Sequence, residues 1–133
     1  MLGLTLWRPW PVLIARGIKK IENRPWVPGR RLQEGARFAI HAGKKWDDRC
    51  LLKAEQLGVP KDVFDGQREI SSVIVAVVTF AGIVTSSHDL WWMGPFGWLL
   101  EEPIPLPRPV PCRGAQGLWS LPSSVEKEVM AQC

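Results

Sequence analysis

Apolar and polar positions alternate weakly over Leu2 to Leu6, which predicts a first strand. The next stretch, RPWPVLIARG, reads as a short helix: Pro9 and Pro11 suit a first turn, where an amide hydrogen is not needed, and Gly17 suits a stop. From Ile18 to Arg24 the alternation is β-compatible, with Lys20, Glu22 and Arg24 on one face and Ile21 and Asn23 on the other. Pro25 ends that strand, and Pro28, Gly29 and Gly35 mark a loop. Ala36 to Ala42 predicts another strand, with Phe38 and Ile40 on one face and Arg37, Ala39 and His41 on the other. A helix is expected over KKWDDRCLLKAEQLG, burying Trp46, Leu51, Leu52 and Leu57, with Asp47 and Asp48 near its start and Gly58 as its stop.

Residues 59–70 are polar and predict a mobile connection. The run VIVAVVTFAGIV, Val73 to Val84, reads as a buried strand, because a membrane span needs about 20 apolar residues. An aromatic loop, SSHDLWWMGPFG, follows. Pro103, Pro105, Pro107, Pro109 and Pro111 then remove every second backbone donor, which excludes the middle of a sheet and predicts a half-paired edge strand or a polyproline-like crossing. The stretch AQGLWSLP closes the fold as a strand, and Ser123 to Cys133 predicts a small, loosely held helix. Short strands, a few helices and no βαβ repeat point to an α+β or barrel-like domain.

A chain of 133 residues, 46% hydrophobic and 23% charged, fits one soluble globular domain. The N-terminus lacks a basic region followed by an apolar core and a small-residue cleavage site, so a cytoplasmic location and no membrane partner are expected. Cys50, Cys112 and Cys133 are far apart and read as free thiols. His41 and His88 are isolated, and no His or Cys pairing has metal-ligand spacing, so neither a metal nor a cofactor is expected. No glycine-rich phosphate loop or Gly-x-Ser-x-Gly turn is present. The net charge of +4 conceals an asymmetry: residues 1–53 hold twelve Lys or Arg against four Asp or Glu, whereas residues 54–133 hold five against nine. A basic surface built by the N-terminal part suits a polyanion or a phosphate-bearing small molecule.

The chemistry concentrates between Leu4 and Trp26. Lys19, Lys20 and Arg24 are cations close in sequence, and Glu22 among them can fix their rotamers through charge-assisted hydrogen bonds. Arg24 offers a planar fork for a phosphate or a base edge, and a lysine offers a mobile point charge. Arg8, Lys44 and Lys45 extend the candidate patch, and His41 is a candidate for the cleft lining. Trp7, Trp10 and Trp26 flank the cations, as stacking platforms for unpaired bases or as packed wall.

The order of these segments, WRPWPVLIARGIKKIENRPW, FAIHAGKKW and GWLLEEPIPLPRPVPCRGAQGLWSLP, resembles the ASCH domain family, named for homology to activating signal cointegrator 1. The most specific match is the Gly-x-Lys-x-x-Glu-x-Arg run at Gly17, Lys19, Glu22 and Arg24, and the likeness spans about residues 2–122. It implies a small PUA-like β-barrel of about five or six strands with two or three helices, an α+β domain over residues 1–122 with a tail at 123–133. The resemblance implies RNA binding or processing. One branch of the family hydrolyses N4-acetylcytidine with a lysine, a threonine and a glutamate; Lys19 matches that lysine, whereas Glu22 stands in the threonine's place.

The leading expectation is therefore a module that holds RNA or a nucleotide, with single-stranded DNA as an alternative, in a basic, tryptophan-lined cleft built from Arg8, Trp10, Lys19, Lys20, Glu22, Arg24, Trp26, His41, Lys44 and Lys45. Lys19 and Glu22 become a catalytic pair only if the chain is a hydrolase of a modified nucleoside or of RNA, with Glu22 as base and a cation stabilising the developing anion. Cations gathered round Glu22 favour its role as their organiser over that of a base. A third reading is an adaptor that docks a protein through the proline-rich strand and an apolar patch of Trp91, Trp92, Met93 and Phe96.

Overall fold

In the computed structural model, which describes residues 1–133, the strands are β1 (Leu2–Arg8), β2 (Ile21–Arg24), β3 (Arg37–Trp46), β4 (Val73–Val84), β5 (Phe96–Pro111) and β6 (Leu118–Ser120). Three helices accompany them: α1 (Trp10–Ala15), α2 (Asp48–Gln56) and α3 (Ser123–Met130). The strands form one mixed sheet in the order β2-β5-β4-β3-β1-β6. Only β1 and β3 run parallel; the other four neighbouring pairs are antiparallel. This is the expected α+β fold. No ladder joins β2 to β6, so the barrel is not closed by backbone hydrogen bonds. The sheet nevertheless curls until β2 comes within hydrogen-bond reach of β1: Arg24 Nη2 donates to the Thr5 carbonyl at 3.2 Å.

Alternation along the strands divides the apolar side chains between two faces. Inside the curl, Leu4, Leu6, Phe38, Ile40, Val78, Phe80 and Leu100 pack around Trp98. Its indole meets Trp26, Phe38 and Phe80 edge-on, with ring centroids 5.1, 6.2 and 5.8 Å away, and its Nε1–H donates to the Trp26 carbonyl. Truncating such a ring costs about 3–5 kcal/mol. The opposite face buries Ala39, Ile74, Val77, Leu106 and Val110 with Leu121 and Val129. A third group, around Leu13, Ile21, Cys50, Ala54 and Trp91, joins α1 and α2 to the sheet end.

Each proline of β5 lies in the half that pairs with β4 alone, since β2 reaches only Phe96 to Leu99. The free edge is partly covered: the Gln132 side-chain amide accepts from the Arg108 N–H and donates to its carbonyl, both at 2.9 Å. That contact, the fully buried Val129 and an ion pair between the N-terminal amine and Glu126 hold α3 in place, which corrects the expectation of a loosely held tail helix. Residues 59–70 are likewise anchored rather than a mobile connection. They form two short 3-10 turns, Lys61–Phe64 and Gln67–Glu69, bury Val63, and receive an Arg8 hydrogen bond at the Arg68 carbonyl.

The helix expected from Lys44 begins only at Asp48. β3 runs four residues past Ala42, to Trp46, because β1 continues beside it and pairs Arg8 with Trp46. Asp47 then caps α2 by accepting the Arg49 amide, which turns Cys50 and Ala54 inward and leaves Leu52 exposed. No helix is long and apolar enough to cross a membrane.

Candidate functional site

The seam between β1 and β2, where the barrel fails to close, opens into a cleft of about 580 Å³. The local sequence builds its floor. Gly17, at φ +71°, ends α1, and the Leu13 carbonyl accepts from both the Ile18 and Lys19 amides. This tight turn swings Lys19 directly into the seam ahead of β2. A side chain at position 17 would strain it.

Lys19 is only 4% exposed and Glu22 7%. The Lys19 ammonium donates to Glu22 Oε1 at 3.0 Å and stands 5.2 Å from the centre of the Trp10 ring. Arg24 Nε donates to the other carboxylate oxygen at 3.0 Å, while its Nη2 spans the seam to Thr5. Both oxygens of Glu22 are thus engaged by cations, and each cation is fixed. Breaking such a buried pair by removing one partner costs several kcal/mol, because the remaining charge stays desolvated.

Asp47 organises a second wall. It accepts from the Trp10 indole at 2.9 Å and from Arg49 at Nε and Nη2. The Arg49 guanidinium foremost, and the Trp10 indole in support, hold the Asp47 carboxyl below its ordinary value, against the opposing effect of burial. Lys53 and Gln56 line the same wall from α2. Trp7, 47% exposed, and Met93, 68% exposed, also line the cleft. Asn23 fixes the Met93 loop: its Oδ1 accepts from the Met93 and Gly94 amides, and its Nδ2 donates to the Trp91 carbonyl.

Of the residues flagged in sequence, Trp7, Trp10, Lys19, Glu22 and Arg24 come together here, with Met93 of the aromatic loop. Arg8, Lys20, Trp26, His41, Lys44 and Lys45 do not line the cleft. Lys20 is exposed elsewhere, and Trp26 packs edge-on against Trp98. Arg8 is spent on the carbonyls of Lys44, Gln67 and Arg68, stacked 5.5 Å from the Trp46 ring centre. Lys44 and Lys45 are exposed at the end of β3, with the Lys45 ammonium 5.0 Å from the Trp7 ring centre.

His41 lies in an enclosed network away from the cleft, 2% exposed. Its Nε2 is 2.7 Å from the Cys112 carbonyl, which can only accept, so that nitrogen carries the proton. Nδ1 therefore accepts from the Thr5 hydroxyl, which in turn accepts from the Trp119 indole. Burial pushes the imidazole below its ordinary value, against the Cys112 hydrogen bond. Burial also pushes the Cys50 thiol up to about 12, so it stays protonated and unreactive.

Sequence reasoning missed Asp47, Arg49, Lys53 and Asn23 as cleft residues. Asp47 was legible only as an acidic residue near a helix start, and its contact with Trp10 depends on how α1 and α2 meet. The apolar patch expected of the aromatic loop is also reduced. Trp91 is buried edge-on against Trp10 and Trp92 and Phe96 are half-buried, leaving Met93 and Leu90 exposed.

The fold is thus a curled six-stranded α+β sheet with a charged cleft, lined in part by indoles, at its open seam. No protein-family profile matches the sequence, and no curated protein matches it. Solved structures do. The ASCH protein of Zymomonas mobilis superimposes with a TM-score of 0.58 at 16% identity, over 98% of this chain and 93% of that one. A tyrosine-to-phenylalanine mutant of that protein gives 0.58 at 16% identity, covering 98% and 96%, and a serine-to-alanine mutant gives 0.54 at 15%, covering 98% and 94%. The chain has the ASCH-domain fold.

Proposed function

We propose that this chain is a nucleic-acid-binding ASCH domain, with RNA as its ligand, and that the seam cleft holds one phosphate-bearing nucleotide unit. The observation that carries this reading is the Lys19–Glu22–Arg24 triad, a fixed pair of cations at the floor of a cleft walled by Trp10. A volume of about 580 Å³ suits a single small ligand. An indole wall suits a planar base, and a charge-assisted donor set suits its polar edge or its phosphate. The hydrolase alternative needs a carboxylate oxygen free to take a proton, whereas both Glu22 oxygens already accept from cations. Glu22 serves as the counter-ion that positions Lys19 and Arg24.

The test is a titration against a labelled ten-nucleotide single-stranded RNA at 50 and 200 mM salt. Two to three phosphate contacts predict an affinity loss of about tenfold across that range. Arg24→Ala, folded by circular dichroism, is expected to lose most of the binding. A folded Arg24→Ala that binds as well as the parent overturns the reading.

A further inference from the structure

The cations of the cleft floor are internally compensated, and those at its margins are not. Lys19 and Arg24 share Glu22, and Arg49 pairs with Asp47. Lys53, on the α2 wall, and Lys45, one indole beyond the β1 wall, have no carboxylate within 4.0 Å. The indole between Lys45 and the cleft is Trp7, and it is the single tryptophan of the eight in this chain that is not buried or half-buried. The fold packs or half-covers the seven others, so solvent contact at Trp7 is a feature of this place and not of the residue type. Trp7 both lines the cleft and carries the Lys45 ammonium 5.0 Å from its ring centre.

A free nucleotide in the cleft leaves this outer pair without a partner. A nucleotide within a strand has a phosphate on each side and a neighbouring base beside it. We propose that Trp7 and Lys45 form a second subsite for a single-stranded polynucleotide: the base next to the cleft-bound one stacks on Trp7, Lys45 meets the phosphate between the two, and Lys53 meets the phosphate on the far side. This rests on the reading that the cleft takes a nucleotide unit, and it names a polymer, rather than a mononucleotide, as the ligand. A duplex is excluded from this mode because its bases are already stacked and paired.

The experiment compares the ten-nucleotide single-stranded RNA, its duplex and the four nucleoside 5′-monophosphates on the full chain, with Lys45→Ala, Trp7→Ala and Trp7→Phe beside the parent. Lys45 and Trp7 lie outside the buried core, so these variants are expected to fold. The single strand should bind more tightly than any monophosphate and than the duplex. Lys45→Ala should lower the salt slope for the single strand by about 0.7, one phosphate, and leave monophosphate affinity unchanged. Trp7→Ala should weaken the single strand about tenfold, with Trp7→Phe recovering much of it. Equal affinity for monophosphate and single strand, or unaltered single-strand binding in both Lys45→Ala and Trp7→Ala, overturns the second subsite while the cleft reading stands. Absence of binding to every probe overturns the cleft reading and this inference with it.

Discussion

Two buried polar networks meet at one residue. The Thr5 carbonyl accepts from Arg24 and so belongs to the Lys19–Glu22–Arg24 triad, whereas the Thr5 hydroxyl belongs to the His41–Trp119 network. Both contain groups that sequence singles out as candidates for a site. They differ in charge and in enclosure. The first is ionic and its members line a cleft. The second is neutral, satisfied at each nitrogen, and shut by Gly114, where an added Cβ would stand 2.5 Å from the Thr5 hydroxyl and 2.6 Å from His41. A buried polar group marks a binding site when it opens on a void, and marks structure when every valence is already met.

The largest effect is expected at the shared counter-ion of the open network. Glu22→Gln leaves two cations with a neutral partner and should lower stability by about 3 kcal/mol, read from the urea midpoint. It should also weaken RNA binding, because Lys19 and Arg24 lose the group that fixes their geometry. An unchanged midpoint would mean that the triad is solvated, which would remove the distinction from an ordinary surface ion pair.

Gly114→Ala separates the two networks from the other side. The new methyl must push Thr5 or His41 from place, and overpacking of this kind costs about 2 kcal/mol. Folded protein should still bind RNA with affinity near that of the parent, since the atoms nearest an added Cβ at position 114 belong to Thr5 and His41, neither of which lines the cleft. A binding loss larger than the stability loss explains would show that the networks are coupled through Thr5.

Local rules made most of the strands legible. The apolar run at Val73 to Val84 is β4 to the residue, and the prolines of β5 sit on the half with one partner. The triad was legible because Lys19, Glu22 and Arg24 are close in sequence, so a turn and four residues of strand suffice to bring them together. What lay beyond reach depends on long-range meetings. Lys20 and Lys19 are adjacent, yet the turn at Gly17 buries one and exposes the other. Arg8 looked available until the 3-10 turns after α2 supplied carbonyls to it. His41 ended an apolar strand beside cations, but β3 extended past it to Trp46, which moved Lys44 and Lys45 to the strand's far end and left His41 under the 112–114 loop.

The smallest predicted effect is a pH dependence that belongs to the closed network alone. The folded protein holds His41 below its ordinary value near 6.5, so between that value and the lower folded one the unfolded chain binds the extra proton. Stability is therefore full above about pH 6.5 and falls as the pH drops through that window, by no more than about 1.4 kcal/mol per pH unit for one proton. The groups facing His41 do not confuse the reading: Thr5 and Trp119 do not titrate there, and burial raises the Cys112 thiol, keeping it neutral. The Asp47 carboxyl is held low and loses its contribution only at more acid pH, as it protonates. Urea midpoints between pH 7.5 and 5.0 should slope downward for the parent and flatten in His41→Gln, while the salt slope of RNA binding is the same in both. A slope retained in His41→Gln would assign the proton to another group and end the case for a closed, neutral network at Thr5.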